Sequence, residues 1–128
     1  MKTAEQLIEI ESLLENLLKS QNHDGGVLRM KVLFFCNLYQ NLSVGMIIQK
    51  LGIKKTNFAS MLAELEAQGC VTVKRSNLDK RCRLVELTDR GKGELNQFLK
   101  SVDNLAGNTT IEVDKAIDTL CRYLNKII

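Results

Sequence analysis

The sequence has no proline, a single histidine and only 5% aromatic residues. The first and last of these scarcities suit a mostly helical chain with few rigid loops. The second, with what the cysteines lack, removes metal chemistry. Cys36, Cys70, Cys82 and Cys121 are widely spaced and form no C-x-x-C pair, and His23 is the one imidazole, so no zinc ligand set and no cofactor are expected. A glycine-rich phosphate loop and a paired His/carboxylate constellation are also missing, which argues against an enzyme and leaves no catalytic residue to name. No apolar run approaches the roughly 18–20 residues of a membrane span. The first residues lack a basic region followed by an apolar stretch, and the expectation is a cytoplasmic protein. Its thiols are then reduced, with Cys36, Cys70 and Cys121 among apolar neighbours as small core residues. His23, beside Asp24, Gly25 and Gly26, reads as a solvated turn residue.

What is present is apolar bulk and an uneven charge. Apolar residues make up 45% of 128, enough for one folded domain with a modest core. The net charge is +3, but residues 1–41 and 93–128 each hold four Lys/Arg and five Asp/Glu. Residues 42–92 hold ten against five, so this middle segment alone carries +5. Such concentration fits the electrostatic footprint of a surface that meets a polyanion and equally a solvated basic face, and charge by itself does not decide between them.

Periodicity predicts six helices and one hairpin. Leu7, Ile10, Leu14 and Leu17 repeat at helical steps over residues 3–20, with an apolar face wide enough to meet another subunit. Residues 27–40 (VLRMKVLFFCNLYQ) are apolar on most sides and predict a central helix. Ser43 is the expected N-cap of a short helix over 44–51. Another helix runs from Ile53 to about Gln68 and stops at Gly69. Its Phe58, Met61, Leu62 and Leu65 share one face, and Thr56, Ala59, Ser60 and Ala63 the opposite one. Cys70–Arg75 and Arg83–Leu87 alternate as strands, joined by the polar turn SNLDKRC. Thr88 is the expected cap of a helix toward Leu105, broken at Gly107, Asn108 and Thr109. A last helix over 110–128 places Val113, Ile117, Leu120, Leu124 and Ile127 at steps of four, three, four and three, a near-heptad seam that calls for a partner helix.

Between Leu42 and Gly91 these pieces resemble the MarR family of bacterial winged helix-turn-helix transcription regulators. The residues that carry the resemblance are the helix–Leu51-Gly52-Ile53–helix core, Leu65-Glu66 with Gly69-Cys70-Val71, Asp79-x-Arg81, and Leu87-Thr88-x-x-Gly91. The fold class it implies is mainly α with a small β-hairpin wing. Residues 1–26 and 106–128 would be dimerisation helices, and 27–105 the winged helix-turn-helix core and linking helix. The resemblance implies a homodimer on double-stranded DNA with a near-palindromic operator. The fourth helix would enter the major groove, and the wing would reach the adjacent minor groove. Arg81 matches the arginine that probes that groove, and Asp79 the acidic residue that pairs with it and shapes the wing.

Physics adds candidates to that outline. The start of the fourth helix offers free backbone donors to phosphate beside Lys54 and Lys55. Thr56, Asn57 and Ser60 are short polar groups able to reach base edges. Arg75, Lys80 and Arg83 supply further phosphate contacts. Four positions depart from the family pattern: Lys54 replaces a capping serine, Ala59 and Ser60 replace threonine and arginine, and Ile48 stands where a small alanine is common. Relatives bind small, often phenolic, molecules between their two regions, and Phe34, Phe35, Tyr39 and Phe98 are candidates for such a pocket as well as for core. Cys82, flanked by Arg81 and Arg83, is the thiol whose surroundings favour a thiolate. A winged-helix protein-interaction module is the alternative reading, and the +5 segment argues against it.

Overall fold

A computed structural model describes residues 2–20, 26–107 and 111–128 of the chain. His23 and its turn, and the break at 108–110, lie outside the described residues. In chain order the elements are α1 (Lys2–Ser20), α2 (Gly26–Leu38), α3 (Val44–Leu51), α4 (Lys55–Ala67), β1 (Val71–Arg75), β2 (Arg83–Leu87), α5 (Asp89–Ala106) and α6 (Ile111–Ile127). The chain is mainly α with a small hairpin, as the periodicity predicts.

α2 is the central element because it can bury side chains in several directions. It packs against α1, α3, α4, α5 and β2, and its Val32, Leu33 and Cys36 are fully buried. Around them close Val44 and Ile47 of α3, Phe58, Leu62 and Leu65 of α4, and Val71, Val85 and Leu87 of the hairpin. α2 ends two residues short of the expected Gln40. The chain turns there through hydrogen bonds from the Tyr39 amide to the Phe35 carbonyl and from the Leu42 amide to the Tyr39 carbonyl, both 2.9 Å. Burial pushes the Cys36 thiol up to about 12. Cys70 is also buried, but Cys121 is exposed on α6 and corrects its expected place in the core. An apolar neighbourhood in sequence does not bury a residue on a helix that has no buried residue among those described.

The caps explain why α3, α4 and α5 begin and end where they do. Ser43 Oγ accepts from the Met46 amide at 3.3 Å, and Thr88 Oγ1 accepts from the Gly91 amide at 3.2 Å. Lys54 caps α4 in an extended conformation with no side-chain hydrogen bond, the cost expected of a lysine in that place. The exit of α4 is a Schellman motif: the Cys70 amide donates to the Leu65 carbonyl at 2.9 Å and the Gly69 amide to the Glu66 carbonyl at 3.1 Å. Gly69 makes it possible, at φ 75°, a left-handed value that costs any side-chain-bearing residue strain.

β1 and β2 pair antiparallel in the register Val71↔Leu87, Val73↔Val85 and Arg75↔Arg83. Val71, Val85 and Leu87 face the core, while Thr72, Lys74 and Glu86 face solvent. A bridge from Ser43 to Leu84 ties the hairpin to the start of α3.

Two helices are left with bare apolar faces. Among the described residues none of α6 is buried, and Val113, Ile117 and Ile127 of the near-heptad seam are exposed. Ile8, Leu13 and Leu14 of α1 are exposed too, though Leu7, Leu17 and Leu18 are half-covered. Among the described residues no helix is long and apolar enough to cross a membrane.

Candidate nucleic-acid interface

The sequence pattern separates α4 into two faces, and packing keeps them separate. Phe58, Leu62 and Leu65 are buried, whereas Thr56, Asn57, Ala59, Ser60 and Ala63 are exposed. Small residues at 59, 60 and 63 leave the helix backbone close to whatever approaches that face. Because the cap side chain makes no hydrogen bond, the first-turn amides of α4 keep their donors for an incoming acceptor. Lys54 and Lys55 are exposed at that end, so charge and dipole have the same sign there.

The hairpin tip is organised by short side chains. Ser76 Oγ accepts from the amides of Leu78 and Asp79 at 3.2 and 3.4 Å. The Ser76 amide donates to the Cys82 carbonyl, and the Cys82 amide to the Asp79 carbonyl, both at 2.9 Å. Asp79 then holds Arg81: Oδ1 accepts from the Arg81 amide at 3.0 Å and from Nε at 3.2 Å, and Oδ2 from Nη2 at 3.4 Å. The guanidinium and the amide of Arg81 hold the Asp79 carboxyl below its ordinary value of 3.8. The Arg81 side chain itself remains 91% exposed. An ion pair this open adds little stability; its effect is to fix which way Arg81 leaves the loop. The Cys82 thiol lies 3.7 Å from Asp79 Oδ2, so the group it touches is anionic, not one of the two arginines beside it in sequence.

Cationic residues close the loop end of the strand ladder. Arg75 and Arg83 are cross-strand partners in the register and both are exposed. Like charges directly opposite on a ladder destabilise it, and an anion laid across the pair relieves that repulsion.

Away from this surface, Phe34, Phe35 and Phe98 lie together. With Leu18, Val27, Met30, Lys31, Leu95 and Leu99 they line an almost wholly apolar cleft of about 180 Å³ where α1, α2 and α5 meet. Tyr39 is not among the lining residues. It stacks on Phe35 with ring centroids 5.9 Å apart and carries the Lys50 ammonium 5.2 Å above its own ring.

One residue was not anticipated from the sequence. Arg29 is 7% exposed and forks onto Glu94 of α5, Nε to Oε2 at 2.6 Å and Nη2 to Oε1 at 3.0 Å, with Nη2 3.6 Å from the Cys70 sulfur. The signal was there: a charge inside the apolar run of α2 needs a buried partner. Nothing local says that the partner stands 65 residues away.

A model of the MarR family matches residues 28–81, and no curated protein matches the chain by sequence. Among solved structures, the apo form of wild-type MarR from E. coli superposes with a TM-score of 0.74 at 22% identity, covering 93% of this chain and 94% of that one. A cysteine-to-serine variant of E. coli MarR complexed with operator DNA gives 0.75 at 20% identity, covering 97% and 94%. BpsR of Bordetella bronchiseptica, whose DNA binding is regulated by 6-hydroxynicotinic acid, gives 0.74 at 18% identity, covering 98% and 99%. Residues 28–81 thus match the model of the MarR family, and over nearly its whole length the chain has the winged-helix fold of the solved MarR structures.

Proposed function

We propose that this chain is a homodimeric, sequence-specific DNA-binding regulator of transcription, a repressor that answers to a small aromatic ligand and has no catalytic activity. The observation that carries the DNA reading is the Arg75↔Arg83 pair: two exposed arginines directly opposite in the strand register, below a wing tip that presents Lys80 and Arg81. A protein gains nothing from such an arrangement unless a polyanion neutralises it. Thr56, Asn57 and Ser60 of α4 read base edges in the major groove, and Lys54 and Lys55 anchor the helix start on phosphate. Arg81 enters the minor groove, aimed by Asp79. The MarR–operator complex on the same fold supports this docking.

Dimerisation follows from the uncovered faces of α1 and α6. A helix with Val113, Ile117 and Ile127 in water loses about 25 cal/mol for each Å² of apolar surface left unburied, and a second copy supplies the missing cover. Residues 1–26 and 106–128 form the dimerisation region, with 27–105 as the reading core and linking helix. Two copies then place their α4 helices on half-sites about 34 Å apart. The cleft beside Phe34, Phe35 and Phe98 is of single-ring size, since an apolar cavity of about 150 Å³ accepts benzene. A ligand there contacts α1, α2 and α5 together, and so favours one spacing of the two reading heads over another.

The test is an electrophoretic shift with duplexes from the protein's own upstream region and with a random pool, across a salt series. One discrete, sequence-preferring complex of two chains is expected, with affinity falling steeply as salt rises. No sequence preference at low salt would refute DNA reading and leave the protein-interaction module standing.

A further inference from the structure

Leu78 is an anomaly in an otherwise polar turn. It is 99% exposed, flanked by Asn77 and Asp79 and three residues from Arg81. Single apolar residues on a surface are ordinary, but this one stands at the tip of the hairpin on a backbone that is held in place. Its own amide is tied to Ser76 Oγ at 3.2 Å, and the residues on either side of the loop are closed by the Ser76–Cys82 and Cys82–Asp79 hydrogen bonds. The loop is therefore built around its polar members, and the isobutyl group takes no part in holding it. In a free protein Leu78 contributes nothing; it acquires a partner only when the wing docks.

We infer that Leu78 is an apolar minor-groove wedge that makes the wing sensitive to the deformability of the base step beneath it. This rests on the DNA reading above. The minor groove has a charged rim and an apolar floor and walls of sugar and base edge. Arg81 answers the first and Leu78 the second, three residues apart on one ordered loop. A leucine pressed against a base step from the minor groove partly unstacks it and opens a kink toward the major groove. The cost of that opening depends on sequence and is least at pyrimidine–purine steps such as TA and CA. Leu78 thus adds selectivity at a position where the wing forms no hydrogen bond with a base. Its contribution is separable from that of Arg81, which is electrostatic and salt-dependent.

The experiment uses full-length protein and the duplex that wild type selects from a random pool, together with copies in which the step under each wing is changed from TA to AA. Binding is read by fluorescence anisotropy and bend angle by energy transfer between the duplex ends. Because the Leu78 side chain is almost wholly exposed in the free protein and only its amide is bonded, Leu78→Ala and Leu78→Met fold as wild type does. Wild type is expected to prefer TA over AA and to bend the duplex. Leu78→Ala is expected to bind the TA duplex roughly ten-fold more weakly, to lose the step preference and to bend less; Leu78→Met, still apolar and long, retains all three. Leu78→Ala within two-fold of wild type, or weaker by the same factor on both duplexes with an unchanged bend, overturns the wedge. Failure of wild type to select any duplex overturns the DNA reading instead, so the two failures are told apart.

Discussion

Two glycines two residues apart in α5 make opposite predictions for the same substitution. Gly91 is buried in the first turn, where an added Cβ would lie 2.1 Å from the Cys70 carbonyl oxygen and 3.1 Å from its carbon. Both atoms are backbone, so no side chain can swing aside. Relief requires α5 and the start of β1 to part by roughly 1 Å, and interiors this well packed resist such shifts. The same carbonyl accepts the Thr88 amide at 3.0 Å, and Thr88 Oγ1 donates to the Gly69 carbonyl at 2.6 Å, so the displacement also pulls on the junction that caps α5. Overpacking costs about 1–3 kcal/mol and a weakened buried hydrogen bond about 1 more. Gly91→Ala should therefore destabilise by about 2–4 kcal/mol, a fall in Tm of roughly 10 °C for a domain of this size. Gly93 is exposed, with nothing within 4 Å of its added Cβ. Gly93→Ala should stabilise by about 0.5–1 kcal/mol, through helix propensity and a less flexible unfolded chain. Circular dichroism melts at one fixed protein concentration would compare them, since self-association makes Tm depend on concentration. If the two variants move Tm in the same direction, the close approach of Gly91 to Cys70 is not what holds α5 against the hairpin.

Arg29→Ala strands the Glu94 carboxylate and should cost about 2–3 kcal/mol in urea unfolding, whereas the Arg29→Met/Glu94→Leu double variant recovers most of it; equal losses in single and double variants would show that the fork is not the source. Arg81→Ala should weaken binding to a selected duplex by an amount on the order of 1–3 kcal/mol while leaving Tm unchanged, because its ion pair is open to water. A parallel loss of Tm would make it a structural residue. Because the folded Asp79 carboxyl is held low, the contacts of the wing tip are present above the ordinary value of 3.8 and are lost as pH falls through the lower folded value. The Arg81 amide resonance should follow that transition, and movement completed at higher pH would contradict the hydrogen bonds to Asp79.

The hairpin and α4 were legible in the sequence because their signals are local. Ser43 and Thr88 cap within three residues, Gly69 ends α4 through its own φ, and Asp79 reaches Arg81 two residues on. Strand alternation and the two faces of α4 follow from periods of about 2 and 3.6 residues, which any pattern of apolar side chains reveals. A family resemblance spanning Leu42–Gly91 then ordered the pieces. The places that were misjudged depend on what lies across the fold. α2 stops early because the chain turns at Tyr39 toward α3. Cys121 has apolar neighbours yet no cover.

Sequence by itself thus determined the element order, the caps, the concentration of positive charge and the polar face of α4, since each is written in neighbouring residues or their spacing. Only the tertiary structure decided the rest. It brought Arg29 to Glu94 across 65 residues, pressed Gly91 onto the Cys70 carbonyl, set Arg75 opposite Arg83, and separated Tyr39 from the cleft that its fellow aromatics line. It also left the Leu78 side chain almost wholly exposed. Contacts of that kind depend on how packed elements are placed against one another, and their placement is a property of the whole core that no short stretch of chain encodes.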